Sequence, residues 1–113
     1  MPDLPSLSTH VLDTALGRPA AGVQITLAQR VDGAWSTIAT ATTDMDGRVR
    51  EFGGVSLHPG QYQISFDVAA YLRATGREAP FLQRVTIEFA MQSGHYHVPL
   101  LASPFSGTTY RGS

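Results

Sequence analysis

Residues 61–68 read Gln61-Tyr62-Gln63-Ile64-Ser65-Phe66-Asp67-Val68, an unbroken alternation of polar and apolar side chains. Successive side chains of a β-strand point to opposite faces of the sheet. This period of two therefore predicts a strand with one face on the core and the other in water. The same alternation recurs at residues 23–27 and 84–89. The chain is predicted to consist mainly of half-buried antiparallel strands.

Weaker patterns extend this prediction to the rest of the chain. Further strand candidates lie at residues 7–13, 35–43, 49–52 and 95–101, and the last three or four residues are a candidate for one more. Residues 68–76 break the period, because they are rich in helix formers and end in Gly76. They predict one short helix. About seven or eight short strands with one helix between two late strands indicate a β-sandwich or barrel.

The composition limits the class of protein. Its 113 residues suffice for one small domain, expected to span 1–113 with residues 1–6 flexible. The charged residues are 8 Arg against 9 Asp and Glu, which excludes the basic surface of a nucleic-acid-binding protein. No apolar run approaches the ~18 residues of a membrane span, and no signal peptide begins the chain. We therefore expect a cytoplasmic protein whose thin core leaves any active site at the surface or between subunits.

Two histidines, His95 and His97, lie in the strand candidate at residues 95–101. Residues i and i+2 of a strand share a face, so the two imidazoles project together. Such a pair suits acid–base chemistry or a metal site, and it equally suits a solvated strand surface. If His10 met His97 in space, an acid–base pair or a three-histidine zinc site would follow. Zinc is the less economical interpretation, because neither His10 nor His97 adjoins a carboxylate in sequence.

Arg48 follows the turn Asp44-Met45-Asp46-Gly47 and stands at the start of a strand candidate. A guanidinium there either offers a fixed pair of donors to a carbonyl or carboxylate, or is a solvated surface group. Arg50 shares both interpretations. The Asp-x-Asp-Gly spacing resembles the start of a calcium loop, but the remaining ligands are missing, so calcium is rejected.

The chain ends in Tyr110-Arg111-Gly112-Ser113. Chain ends usually fray, but a pinned tail would bring the terminal carboxylate of Ser113 against a histidine or a substrate. The sequence contains no Gly-x-Ser-x-Gly elbow and no phosphate-binding glycine loop. It therefore offers no recognisable nucleophile.

Four motifs, in this order, resemble those of one family. They are Leu7-Ser8-Thr9-His10-Val11-Leu12-Asp13-Thr14, then Thr43-Asp44-Met45-Asp46-Gly47-Arg48, then His95-Tyr96-His97-Val98-Pro99-Leu100-Leu101 with Ser103-Pro104, and the Tyr110-Arg111-Gly112-Ser113 tail. Together they resemble the 5-hydroxyisourate hydrolases, the transthyretin-related family of purine degradation. The resemblance implies an all-β fold, a transthyretin-like (prealbumin-like) sandwich of two four-stranded antiparallel sheets with one short helix. It also implies a homotetramer with active sites at the dimer–dimer interface.

The resemblance further implies a reaction and the residues that perform it. The family opens the ring of 5-hydroxyisourate by hydrolysis to 2-oxo-4-hydroxy-4-carboxy-5-ureidoimidazoline, and we expect neither cofactor nor metal. The implied catalytic residues are His10, Arg48 and His97, and the implied substrate-binding residues are His95, Tyr110, Arg111, Gly112 and Ser113. The two catalytic histidines would activate water and return its proton, in an order left open, while the arginine stabilises the oxyanion. The alternative function is a non-catalytic carrier of small ligands on the same fold.

Overall fold

Two β-sheets pack against a common core in the computed structural model, which describes residues 4–112. The strands are β1 (Ser6–Asp13), β2 (Arg18–Pro19), β3 (Gln24–Val31), β4 (Ala34–Thr42), β5 (Arg48–Val49), β6 (Gly60–Phe66), β7 (Val85–Met91), β8 (His95–His97), β9 (Leu100–Ala102) and β10 (Gly107–Thr109). Helix α1 (Val68–Ala74) connects β6 to β7. The predicted all-β sandwich with one short helix is confirmed for the described residues.

The first sheet is antiparallel, with strand order β4-β3-β6-β7. Its central strand β6 is the alternating segment that predicted the fold. Ile64 of β6 pairs with Leu27 on one side and Ile87 on the other. Tyr62, Ile64 and Phe66 are completely buried, as the period of two requires for a strand with one face on the core.

The second sheet is built around β1. Segments β8 and β9 run parallel to β1 in one continuous register, so that Ser8 pairs with His97 and Val11 with Leu100. Segments β2 and β5 pair with β1 in antiparallel orientation, and β10 pairs with β9. Segments β8 and β9 occupy one side of β1, β2 and β5 occupy the other, and β10 lies beyond β9. The sheet is therefore four strands wide, and it contains both parallel and antiparallel pairs. The predicted strand at 95–101 is interrupted at Pro99, which has no amide hydrogen for the ladder.

Several short or terminal elements differ from those predicted. The strand candidate at 49–52 is reduced to the two residues of β5, and β2 was not predicted at all. The last strand lies at Gly107–Thr109, with only an isolated bridge between Gly112 and His97 nearer the chain end. Short segments of this kind carry no alternation of their own, because two or three residues are too few to show a period. Strand β1 begins at Ser6, inside the segment expected to be flexible.

Helix α1 lies where the sequence predicts it. It is held in place by a capping side chain and by the burial of one face against the core. The Asp67 side chain caps its first turn by accepting a hydrogen bond from the Ala70 amide. Four of its seven residues, including Tyr71 and Leu72, are buried against the core. Among residues 4–112, no helix has the length and apolar character needed to cross a membrane.

Candidate active site

The outward face of β1 carries the candidate site. The buried residues of β1 alternate with Ser6, Ser8 and His10, which therefore point away from the core. The parallel register places His95 beside Ser6 and His97 beside Ser8. On the opposite edge of β1, Arg48 pairs with His10. Three strands distant in sequence thus bring four of the predicted site residues, His10, Arg48, His95 and His97, onto one face of a sheet.

These side chains border an open, mainly polar cleft of about 330 Å³. Its lining residues are Ser8, Thr9, Arg48, Val49, Arg50, His95 and His97. His10 does not line the cleft itself but adjoins it as the cross-strand neighbour of Arg48. The volume and the polar lining suit a small, hydrogen-bonding ligand better than an apolar one.

A chain of hydrogen bonds joins the histidines. The Oγ of Ser6 lies 2.6 Å from Nδ1 of His95, and the Oγ of Ser8 lies 2.8 Å from Nε2 of the same ring. The same Ser8 Oγ lies 2.8 Å from Nδ1 of His97. Ser8 was not among the predicted site residues, although the period of two in β1 places it on the face of His10 and could have indicated it.

The electrostatic environment favours the neutral form of His97. Burial lowers the pKa of His97 below its ordinary value, and the nearby Arg48, His10 and His95 lower it further. A neutral imidazole with an unprotonated nitrogen accepts a proton readily near pH 7. His97 is therefore suited to act as a general base.

A tight turn fixes the position of Arg48. The Asp44 carboxylate accepts hydrogen bonds from the amides of Asp46 and Arg48, each at 2.9 Å. Gly47 has φ of +74° and lies so close to β1 that a Cβ there would fall 2.5 Å from the Val11 carbonyl oxygen. Only glycine fits this approach, which brings the start of β5 against β1 and so sets the base of the Arg48 side chain.

The C-terminal tail is only partly directed at the cleft. The Gly112 amide donates a 2.7 Å hydrogen bond to the His97 carbonyl, which holds the tail against β8. Arg111 instead stacks on Tyr96, with its guanidinium carbon 4.2 Å from the ring centroid. Tyr110 and Arg111 line a separate apolar depression with Ile87, Phe89 and neighbouring residues. The predicted role of Ser113 falls on a residue outside the described range.

The cleft thus combines an imidazole whose neutral form is favoured with the guanidinium of an arginine whose backbone is fixed. The imidazole can take a proton from water, and the guanidinium can stabilise negative charge on an oxygen. Within residues 4–112, no group of three or more His, Cys, Asp or Glu side chains is arranged to hold a metal ion.

Comparisons with known proteins agree with the fold and identify the family. The model of the HIUase/Transthyretin family matches residues 7–112. A 5-hydroxyisourate hydrolase of Deinococcus radiodurans is 44% identical, with 96% of this chain and 97% of the relative covered. The structure of Klebsiella pneumoniae 5-hydroxyisourate hydrolase superposes with a TM-score of 0.86 at 36% identity, covering 97% of this chain and all of that one.

A transthyretin has nearly the same fold. The transthyretin of Sparus aurata superposes with a TM-score of 0.85 at 34% identity, covering 94% of this chain and 95% of that one. The resemblance found in the sequence motifs is therefore confirmed at the level of the family, by the family model and by near full-length relatives. This chain belongs to the HIUase/Transthyretin family.

Proposed function

We propose that this protein hydrolyses 5-hydroxyisourate. The proposal depends above all on one observation, the placement of Arg48 and of His97, whose pKa is lowered, in the same polar cleft. It is supported by relatives of nearly the same length that carry the name 5-hydroxyisourate hydrolase. The fold alone does not select this function, because a transthyretin has a fold of equal similarity.

In the proposed reaction, the oxygen of a water molecule attacks a ring carbonyl of the substrate. His97 takes the proton of that water on Nε2, while its Nδ1 is hydrogen-bonded to Ser8. Negative charge develops on the carbonyl oxygen, and the Arg48 guanidinium stabilises it. The C–N bond then breaks and the ring nitrogen is protonated, which gives 2-oxo-4-hydroxy-4-carboxy-5-ureidoimidazoline.

His10 receives the second proton-transfer role in this proposal. It lies opposite Arg48 on β1, on the same face as His97 but outside the lining of the cleft. From there its imidazole is assigned to deliver the proton to the leaving nitrogen. His95, Gly112 and Ser113 are assigned to hold the substrate or the catalytic histidines. Tyr110 and Arg111, which line a separate depression of the single chain, are assigned the same role in the assembled tetramer.

The proposal includes a homotetramer with the clefts at the dimer–dimer interface. The cleft is open to the surface, and within residues 4–112 no further sheet packs on the outward face that carries it. A second copy on this face would exclude water and strengthen the electrostatic effect of Arg48. Sedimentation of the active protein tests this assembly. A stable monomer with full activity would contradict it.

The decisive experiment follows the ultraviolet decay of freshly generated 5-hydroxyisourate, which also decays spontaneously. Wild type is compared with His97→Asn and with His58→Asn as a matched control. His58 is exposed, and only its backbone makes the hydrogen bonds with Tyr62. We expect fast decay with wild type and with the control, and near-background decay with His97→Asn. Background decay with folded wild type would instead favour the carrier function.

A further inference from the structure

One serine oxygen bridges two imidazoles in the cleft. The Oγ of Ser8 lies 2.8 Å from Nε2 of His95 and 2.8 Å from Nδ1 of His97. A hydroxyl has a single hydrogen, so when it donates to one ring it must accept from the other. The Ser8 hydroxyl therefore couples the protonation of the two rings.

The chain of hydrogen bonds has two directions. In the first, Nδ1–H of His97 donates to Ser8, Ser8 donates to Nε2 of His95, and Nδ1–H of His95 donates to Ser6. This direction leaves Nε2 of His97 unprotonated and able to accept a proton. In the second direction every donor and acceptor is exchanged, and Nε2 of His97 carries a hydrogen that it can donate.

We propose that Ser8 is a positioning residue that sets the tautomer of His97 and relays its proton to His95. The proposal rests on the hydrolase function proposed above, in which His97 is the base. Ser8 itself need not touch the substrate. It acts through His97, by holding Nδ1 and leaving Nε2 facing the water.

The relay balances proton for proton. As the attacking water gives a proton to Nε2 of His97, the Nδ1 proton of His97 passes to the Oγ of Ser8. The hydroxyl proton of Ser8 passes at the same time to Nε2 of His95. His95 becomes the cation, His97 ends neutral with a proton on Nε2, and Ser8 is unchanged. His10 protonates the leaving nitrogen, as proposed above. The relay then runs in reverse: the extra proton of His95 returns through Ser8 to Nδ1 of His97 as Nε2 releases its proton, which restores His10.

The surroundings of the two rings give the relay a physical reason. His97 is partly buried and shares the cleft with Arg48, and burial, Arg48, His10 and His95 all disfavour a positive charge on its ring. Arg50 lines the same cleft. His95 is exposed, so water solvates a charge there. Moving the proton from His97 to His95 therefore takes the charge away from the Arg48 side of the cleft.

The test compares Ser8→Ala with Ser8→Thr, which keeps the hydroxyl and suits a β-strand. Ser36→Ala, an exposed serine on β4 of the other sheet, is the control. We expect Ser8→Ala to lower kcat about tenfold, part of the 10²–10⁴ typical of general acid–base catalysis. We expect Ser8→Thr and Ser36→Ala to stay within about twofold of wild type, since neither loses the bridging hydroxyl.

A second measurement on the free enzyme is independent of substrate. Nitrogen-15 NMR of labelled protein reports which ring nitrogen of His97 carries the hydrogen. We expect the Nδ1–H tautomer in wild type and Ser8→Thr, and the Nε2–H tautomer in Ser8→Ala. If Ser8→Ala does not fold, His95→Gln replaces it, because it removes the acceptor of the Ser8 proton and should likewise lower kcat.

The outcomes separate the two proposals. Unchanged kcat and an unchanged His97 tautomer in Ser8→Ala would overturn the relay and leave the hydrolase intact. Wild type without hydrolase activity would overturn the relay together with the function on which it rests. If wild type were inactive but the His97 tautomer still changed in Ser8→Ala, the hydrogen-bonded coupling of the two histidines through Ser8 would have a structural role only.

Discussion

Gly112 lies directly against the ring of His97. The Gly112 amide donates a 2.7 Å hydrogen bond to the His97 carbonyl, and a Cβ on residue 112 would fall 2.6 Å from Cδ2 of the imidazole. The tail therefore forms one wall of the space that the ring occupies. Any side chain at residue 112 would push the imidazole or the tail aside.

Gly112→Ala should consequently impair catalysis without unfolding the protein. A displacement of about 1 Å in a catalytic group can cost on the order of 10²-fold in rate, so we expect kcat to fall by about that factor. Gly53→Ala is the control, because a Cβ at Gly53 meets nothing within 4 Å. Kinetics and a thermal melt of both variants check this. Wild-type kcat in Gly112→Ala would mean that the tail does not position the ring.

Arg48→Ala should lower kcat by about 10²–10³, the usual effect of removing an oxyanion donor. Arg50→Ala tests the specificity of this effect. Arg50 also lines the cleft, but it is exposed and outside β5, so its loss should raise KM more than it lowers kcat. Steady-state kinetics of the two variants distinguish these effects. An Arg48→Ala enzyme within about twofold of wild type would contradict the oxyanion role.

The pH profile should reflect the lowered pKa of His97. Burial, Arg48, His10 and His95 all disfavour the imidazolium, so His97 remains a neutral base below the ordinary histidine pKa. The acidic limb of kcat/KM should therefore lie below pH 6.5, the ordinary pKa. In Arg48→Ala the pKa of His97 should rise, and the limb should move to higher pH. If the acidic limb of kcat/KM for the residual activity of Arg48→Ala lay at the same pH as in wild type, the limb would have to arise from a group other than His97.

Asp13→Asn should destabilise the fold. The buried Asp13 carboxylate accepts hydrogen bonds from the Tyr71 hydroxyl at 2.7 Å and from Arg77, which tie α1 and the segment after it to β1. We expect a loss of about 1.5–3 kcal/mol in the free energy of unfolding, as for hydrogen bonds to a charged group. Urea denaturation measures this. Asp32→Asn, at an exposed turn with positive φ, is the control and should be nearly neutral.

The same carboxylate should make stability depend on pH. Burial by itself raises the pKa of Asp13, but the hydrogen bonds from Arg77, Tyr71 and the Leu16 amide outweigh it and lower the pKa below 3.8. The unfolded chain then binds this proton at higher pH than the folded one. The contribution of Asp13 is fully present above about pH 4 to 5 and is lost as the pH falls through the folded pKa. Asp13→Asn should flatten this acidic slope.

Much of the fold and the family membership followed from the sequence alone. The period of two in residues 61–68 depends only on the geometry of a strand with one buried face, so the pattern is visible without a partner strand. The helix at Val68–Ala74 was equally local, since its helix formers and the following Gly76 indicated it in sequence, and the structure adds the Asp67 cap. The same strand geometry predicted that His95 and His97 share a face. The family motifs identified His10 and Arg48 as candidate site residues, but they gave no information on how far apart the two side chains lie.

Which side chains become neighbours in the site depends on the tertiary fold. The parallel register of β1 with β8 puts Ser8 between the two histidines, a pairing set by how both strands fill the core and not by local sequence. Neighbouring residues of the tail likewise make different contacts: Gly112 packs against His97, and Arg111 stacks on Tyr96. Periodicity specifies the face to which a side chain points. Its neighbours across strands depend on the packing of residues distant in sequence.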